Sequence, residues 1–582
     1  MKLIPSLGEI THKGKEAFKR FPITLSWSII GTLFTLWSVE IETFDKIFYG
    51  KVILTFILGI SWLIATRFFE EQFKTDKEWI FLITLSFIFV FYVSLPNEGR
   101  MSNTNITRFV LYLLAGHLLI FVAPFLLKWN KNAYFNYIKS IFIAIVRSLF
   151  FSLVLYLGVA LALLAFKHLF NIDVDGKRFF QIFIICLGIV NTWMYLADFP
   201  KKIHQKTIVN YTKALEVLVK YVLIPLVILY LIILYAYSLK IVLNWNLPKG
   251  WVSYLVVALS FLGFLIQILI SPIQQTTDSR AIRRFYPWFY VLLLPLNILL
   301  FVAIFRRISE YGFTENRYFV LILACYILGM TAYMLISKNK KTNYFPLSLA
   351  VLALLTSFGF WSAFSVSTKS QVHQFKKVYH EIKAQNFTTT YEKKNQLQSI
   401  IRYLSNKNET DKITDILGYN PDEVFKSKNK WDIPYKLMDS LNITIDDKTT
   451  IASENKYYNL DEFNTIINTK GYDFFKRVYF NSFKDNRKEY LGYEFILLEK
   501  SNTISIWKNN SEIGILDCTS LLDSLDKQSK NNGIDPDLMT IEKILDSLKV
   551  KIVFVDISMD KNNQKNYIYS ANGYVLIKEN GQ

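Results

Sequence analysis

Hydrophobic positions fall into two regimes along this chain, with the boundary near residue 366. Before it, long apolar runs follow one another at 21–39, 52–69, 79–95, 109–127, 140–166, 179–197, 221–239, 251–270, 286–305, 318–336 and 344–366. A helix rises about 1.5 Å per residue, so ~20 apolar residues cover a hydrocarbon core of ~30 Å. The runs predict an all-α polytopic membrane bundle of about 11 transmembrane helices. Trp79, Trp251, Tyr286, Trp288 and Tyr344 stand at run ends, where amphipathic rings suit the headgroup layer.

Two further segments carry an amphipathic helical pattern. Over 1–20, Leu7, Ile10, Ala17 and Phe18 share a face leading to Phe21, and Ser6 with Glu9 forms a capping box. Over 203–218, Ile203, Thr207, Tyr211, Leu215 and Leu218 oppose Lys206, Lys213 and Lys220. Both are expected to lie on the inner membrane surface, where anionic lipids are possible partners.

Beyond 366 the pattern is that of an α+β soluble domain. Residues 367–430 form a helical juxtamembrane region, with Val372, Phe375, Tyr379 and Ile382 at helical spacing and Leu397, Ile400, Ile401 and Leu404 repeating it. Residues 431–582 alternate strands and short helices, with strands expected at 474–480, 493–498, 503–507, 513–516, 551–556 and 574–578 and a hairpin turn at 508–511. The sheet is expected to be mostly antiparallel. Leu437-Met438-Asp439-Ser440-Leu441, Leu521-Leu522-Asp523-Ser524-Leu525 and Ile544-Leu545-Asp546-Ser547-Leu548 share one pattern, and Leu460-Asp461 resembles Leu516-Asp517, so a repeated helix-strand unit is expected.

Charge orients the bundle. With the N-terminus cytoplasmic, 22 Lys and Arg fall on inner segments and 12 on outer loops, as the positive-inside rule favours. An odd number of spans then exports everything after 366. The net charge of +19 sits almost wholly in the membrane half, since 366–582 holds 31 Lys and Arg against 30 Asp and Glu. The basic balance is topogenic, which removes the main argument for nucleic acid as a partner. The first apolar run lacks a small-residue cleavage site, so no cleavable signal peptide is expected. Of three cysteines, Cys186 and Cys325 lie in spans and Cys518 alone in the soluble domain, which precludes a disulfide within that domain.

Candidate chemistry is sparse. Ionisable and amide groups within spans are costly, which makes His117, Asn191 and Asn297 a candidate intramembrane polar site. Pro225 and Pro295 can bend their helices, and Arg147 can snorkel to the cytoplasmic end. Between two spans, Arg306, Arg307, Glu310, Gly312, Thr314, Glu315 and Arg317 make a candidate outer hairpin: Gly312 suits a helix stop and Thr314 the next N-cap. Its three arginines oppose the positive-inside trend and need partners in Glu310, Glu315, lipid phosphates or the soluble domain. Asp556, Ser558 and Asp560 alternate just past an expected strand, but Lys561 and Tyr567 replace the Gly and Glu of a calcium loop. Cys518 reads as a buried structural thiol. His373 and His380 stand two turns, ~10.5 Å, apart, too far to chelate one ion alone. Catalytic residues, a metal site and a cofactor are therefore not expected.

Three segments carry a resemblance: Phe18-Lys19-Arg20-Phe21-Pro22, Glu310-Tyr311-Gly312-Phe313-Thr314-Glu315-Asn316-Arg317-Tyr318 and Phe358-Gly359-Phe360-Trp361-Ser362-Ala363-Phe364-Ser365-Val366-Ser367. They resemble the bacterial multi-pass membrane family catalogued as domain of unknown function 4153. The resemblance implies a bacterial cytoplasmic (inner) membrane protein and transfers no catalytic residues. The residues themselves leave three functions open: a non-enzymatic envelope protein whose exported domain binds a partner or ligand, a transporter or lipid translocator, and a membrane enzyme acting on lipid headgroups.

Overall fold

The computed structural model describes residues 7–41, 46–73, 77–97, 101–205, 207–209, 211–244, 251–425, 432–445, 456–460, 466–481, 487–490, 492–498, 502–509, 511–528, 532–545, 548–562 and 565–579. They form two compact units, Met1–Ala384 with Gln396–Asn442, and Gln385–Asn395 with Ile443–Gln582.

The first unit is helical. Its elements are α1 (Leu7–Arg20), α2 (Pro22–Glu40), α3 (Lys46–Glu70), α4 (Glu78–Ser94), α5 (Asn103–Val122), α6 (Lys131–Phe170), α7 (Gly176–Ile185), α8 (Thr192–Ala197), α9 (Lys213–Leu218), α10 (Ile224–Asn244), α11 (Trp251–Ile270), α12 (Arg280–Tyr311), α13 (Glu315–Ile336), α14 (Tyr344–Leu355) and α15 (Ala363–Ala384). A π turn at Cys186–Asn191 joins α7 to α8, and another at Val219–Leu223 joins α9 to α10. Among the described residues, nine helical stretches are long and apolar enough to cross a membrane, while Glu78–Ser94 and Tyr344–Leu355 are apolar but shorter.

Backbone chemistry explains the irregularities. The second π turn precedes Pro225, which has no N–H to donate, and Ile224 N–H already bonds five residues back to Val219 O. Tyr286 leaves helical geometry (φ −92°, ψ 130°) directly before Pro287, whose ring disfavours a helical predecessor.

Two expected helices are broken. The apolar run at 344–366 contains a twelve-residue helix, a turn and the start of α15. Gly359 takes φ +80°, which no helix continues through, and Ser362 Oγ accepts from Ser365 N (3.2 Å) to start α15. Apolarity alone hides this stop, because Phe358, Phe360 and Trp361 are apolar yet exposed. At 203–218 a short 3-10 turn, Ile203–Gln205, is followed by non-helical chain at 207–209 and 211–212 before α9 begins at Lys213. Thr207, Ile208 and Val209 are all β-branched, which disfavours helix there. The expected cap at Ser6 lies outside the described residues.

The two shorter helices each contact a longer neighbour near both of their own ends. Lys77 N donates to Glu70 Oε1 (3.0 Å) at the start of α4, and Lys51 Nζ donates to Leu95 O (3.2 Å) and Asn97 Oδ1 (2.7 Å) past its end. Glu70 ends α3 and Lys51 lies in its second turn. Likewise Asn343 Nδ2 reaches Phe125 O (3.4 Å) beyond one end of α5, and Arg108 Nε reaches Ser357 O (3.2 Å) near the other. The first unit also includes the end of α16 (Tyr391–Asn406), then α17 (Thr414–Leu417), α18 (Pro421–Val424) and α19 (Ile433–Ser440).

The second unit is rich in strands: β1 (Thr388–Thr389), β2 (Thr444–Ile445), β3 (Lys456–Leu460), β4 (Phe474–Asn481), β5 (Arg487–Tyr490), β6 (Tyr493–Leu497), β7 (Thr503–Lys508), β8 (Ser511–Asp517), β9 (Asn532–Ile534), β10 (Thr540–Leu545), β11 (Leu548–Asn562) and β12 (Lys565–Glu579), with α20 (Thr519–Asp526). One sheet runs β4-β12-β11-β3-β9 with β10 also on β11, a second runs β5-β6-β7-β8, and β1 pairs with β2. Among the described residues, only β1–β2 and β3–β9 are parallel. The long β11–β12 hairpin packs Val550, Ile552, Phe554 and Ile577 with Leu522 and Leu525 of α20 in one core.

Five of the six expected strands fall within observed ones and the sixth, 493–498, runs one residue past β6, but the repeat does not hold. Leu437–Ser440 and Leu521–Leu525 lie on α19 and α20, whereas Ile544 and Leu545 end β10 and Leu548 opens β11, paired across from Leu545. A hairpin replaces the expected helix because β-branched Ile541, Ile544, Val550 and Ile552 favour pairing on β11. Asp546, Ser547 and Asp461 lie outside the described residues. Asp556, Ser558 and Asp560 sit within β11, not past a strand, and Asp556 Oδ2 accepts from Asn572 Nδ2 (3.2 Å).

Candidate functional site

The α12–α13 hairpin is built by its glycine. Gly312 takes φ +70°, and a Cβ there would stand 2.8 Å from Gln374 Cγ and from Ser370 Oγ. Only glycine lets the turn lie this close to α15. Thr314 occupies the N-cap position of α13, but its side chain makes no capping bond. Arg306 Nε pairs with Glu310 Oε1 (2.9 Å) one turn on, and Arg317 Nη1 caps Gly312 O (2.7 Å) and Tyr311 O (3.2 Å). Arg307 has no hydrogen-bond or ion-pair partner among the described residues. Arg306 and Arg317 thus serve the hairpin itself.

What joins the hairpin to the following helices is amide, hydroxyl and carboxylate chemistry. Gln371 Nε2 donates to Phe313 O (2.8 Å) and Tyr311 O (3.0 Å), and Phe313 N donates to Ser370 Oγ (2.8 Å). Glu315 forms an ion pair with Lys407, and the Tyr403 hydroxyl stands 3.0 and 3.1 Å from its two oxygens. The Glu315 and Lys407 side chains are 19% and 9% exposed, so the pair is mostly shielded from water. Burial, then the Glu315 charge, pushes the Tyr403 phenol well up, which keeps it a donor. Sequence reasoning missed Ser370, Gln371, Tyr403 and Lys407. One signal was present: Ser367, Thr368 and Gln371 interrupt the buried stripe that Phe375, Val378 and Ile382 continue.

Two of the three intramembrane polar residues come together. His117 and Asn191 both line a cavity of ≈490 Å³ among α2, α3, α5, α6 and the π turn. Asn297 sits apart in the α10–α13 core, where its Nδ2 reaches Ala324 O (3.3 Å). Helices beside the cavity meet at glycines: a Cβ at Gly188 would fall 2.2 Å from Thr32 Oγ1, and one at Gly116 would fall 2.4 Å from Ser61 Oγ. Ser28 Oγ donates to Gly188 O (2.6 Å), within the π turn.

At the opposite end of the helices from the hairpin, α1 is tied into a charge network. Arg20 makes a two-point contact with Glu71 (2.7 and 2.8 Å), Lys13 pairs with Asp198 (3.4 Å), and Arg147 reaches Asp198 (2.9 Å). Lys201 bonds Glu16 (2.5 Å) and holds its carboxyl below the ordinary range. In the second unit, Cys518 is buried, and burial pushes its thiol up to about 12, as a structural cysteine should behave. His373 and His380 are both on α15.

The cavity and the hairpin both fall inside the segment that a known family covers. The family described as Domain of unknown function (DUF4153) matches residues 26–390. A protein of Pasteurella multocida (strain Pm70), described as uncharacterized, is 25% identical over 378 residues, covering 64% of this chain and 61% of the relative. The chain thus matches about three fifths of that relative's length. No solved structure matches the chain. With apolar helices from α2 onward and the Tyr311–Arg317 hairpin inside the matched segment, the chain belongs to the multi-pass membrane family described as Domain of unknown function (DUF4153).

Proposed function

We propose that this is a non-enzymatic envelope protein of the bacterial cytoplasmic (inner) membrane, in which the bundle anchors an exported module that binds or docks an envelope partner. The observation that carries the reading is the hairpin clamp: Glu315, Tyr311 and Phe313 hold α15 and α16 at the end of the helices opposite the α1 charge network. The end-to-end contacts of α4 with α3 and of α14 with α5 support counting both short helices as crossings, which makes eleven. Eleven crossings and the bias of positive charge support a cytoplasmic N-terminus and a clamp outside. The β-rich unit then faces the envelope, and the exposed Phe475, Arg477 and Tyr479, alternating on β4, give it an aromatic docking face. Fusions of alkaline phosphatase and of a fluorescent protein after residue 582 test this. Active phosphatase with a dark fluorescent fusion is expected; the reverse refutes the exported module.

The transporter or lipid-translocator reading draws support from the cavity at His117 and Asn191. The lipid-headgroup enzyme reading lacks a comparable feature, since Glu310 and Glu315 turn to separate partners.

A further inference from the structure

The cavity at the π turn has the chemistry of a binding site. Its ≈490 Å³ lies within the ~300–1,000 Å³ usual for small-molecule sites. Its lining contains no Asp, Glu, Lys or Arg, so a charged head would be desolvated there with nothing to balance it. Isoleucines and leucines dominate the walls, and rim residues Ile57, Leu149 and Leu187 are 44%, 48% and 45% exposed. Those rim side chains lie on membrane-crossing helices, so the doorway faces acyl chains.

Several of the polar groups are already spent. Ser28, Thr32 and Ser148 give their hydroxyl hydrogens to Gly188 O (2.6 Å), Ser28 O (2.7 Å) and Ile145 O (3.1 Å). His117 Nδ1 lies 2.8 Å from Leu113 O. A carbonyl only accepts, so Nδ1 carries the hydrogen and Nε2 is left over. Asn191 Oδ1 is buried without a partner among the described residues, a costly state in apolar surroundings. The π turn adds to this, since π bulges inside helices frequently mark functional sites.

These leftovers select the ligand. A hydroxyl donates to Nε2 or to the Asn191 oxygen and also accepts from the Asn191 amide nitrogen. A ketone or ether only accepts and leaves both acceptors unpaired. We infer that the cavity binds an uncharged lipid alcohol, with its hydroxyl among His117 and Asn191 and its apolar chain leaving past Leu149 and Leu187. An acylglycerol and an isoprenoid alcohol share this chemistry.

The test uses full-length protein in phosphatidylcholine nanodiscs with diazirine-bearing diacylglycerol in one arm and a diazirine-bearing isoprenol in the other. Labelling is expected on α6 and on the helix from 176 to 197, and the arm that labels more strongly identifies the source. Unlabelled alcohol should compete about tenfold better than its methyl ether, the worth of roughly one net hydrogen bond. This comparison needs no variant. Asn191→Leu should lower labelling by about the same factor without lowering thermal stability, because it removes an unpaired amide. Equal competition by the ether, stronger competition by a quinone, equal labelling by diazirine phosphatidylcholine, or no labelling in either arm overturns the inference.

Discussion

Glu315→Gln is the perturbation that most sharply separates the clamp from its surroundings. It keeps the shape of the side chain and removes the charge that Lys407 faces. Breaking a fully buried pair by neutralising one partner costs about 3–5 kcal/mol, while an exposed pair is worth about 0–1 kcal/mol. With its side chains 9% and 19% exposed, this pair stands nearer the buried limit, and a cost of about 2–3 kcal/mol follows. Local opening of α15 and α16 should then become about 30- to 150-fold more frequent. Hydrogen exchange on the full-length protein in nanodiscs reads that opening. Arg306→Ala, which removes an exposed pair one helical turn long, should change it by less than about threefold. Lys407→Met should match Glu315→Gln, and the double variant should cost clearly less than the sum, because each single change strands the other charge. Additive effects, or equal effects of Glu315→Gln and Arg306→Ala, refute the clamp.

Three further outcomes are expected. Gly188→Val brings in a Cβ that would fall 2.2 Å from Thr32 Oγ1, and should destabilise the bundle by about 1–3 kcal/mol, read as a lowered melting temperature. Cys518, buried and with its thiol pushed up to about 12, should resist a water-soluble maleimide at pH 7 until the second unit unfolds, so prompt labelling of native protein contradicts its placement. Asp517 Oδ1 accepts from Thr519 Oγ1 (2.6 Å) and Thr519 N (2.9 Å), which lowers its carboxyl below the ordinary 3.8. Its stabilising effect is therefore present above pH ~4 and fades as pH falls through the lowered value, and Asp517→Asn should flatten that acid limb of stability.

Much of this architecture is legible residue by residue. The apolar runs from 21 to 336 correspond to helices because nothing in them stops a helix for long. The last run misleads because Gly359, among exposed Phe358, Phe360 and Trp361, ends a helix without lowering apolarity. Gly312 announces the hairpin, since a positive φ is a local demand. Its true partners are not legible. Glu315 meets Lys407 and Tyr403 through tertiary packing, and three nearby arginines are the more obvious counter-charges. His117 and Asn191 can be flagged singly by their polarity, but only the packing of five elements puts them on one cavity and sets Asn297 elsewhere. The third Leu-Asp-Ser-Leu copy fails for a related reason, because pairing along β11 outweighs a weak local helix signal.

The central claim, that the hairpin clamp lies outside the cytoplasm, is tested most directly by thiol labelling in intact cells. Asn316→Cys, exposed at the start of α13, and Lys128→Cys, exposed between α5 and α6, are each placed in a chain whose three native cysteines are replaced by alanine. A membrane-impermeant maleimide should label Asn316→Cys in intact spheroplasts and Lys128→Cys only after permeabilisation. Labelling of Lys128→Cys in intact spheroplasts with Asn316→Cys protected contradicts the account.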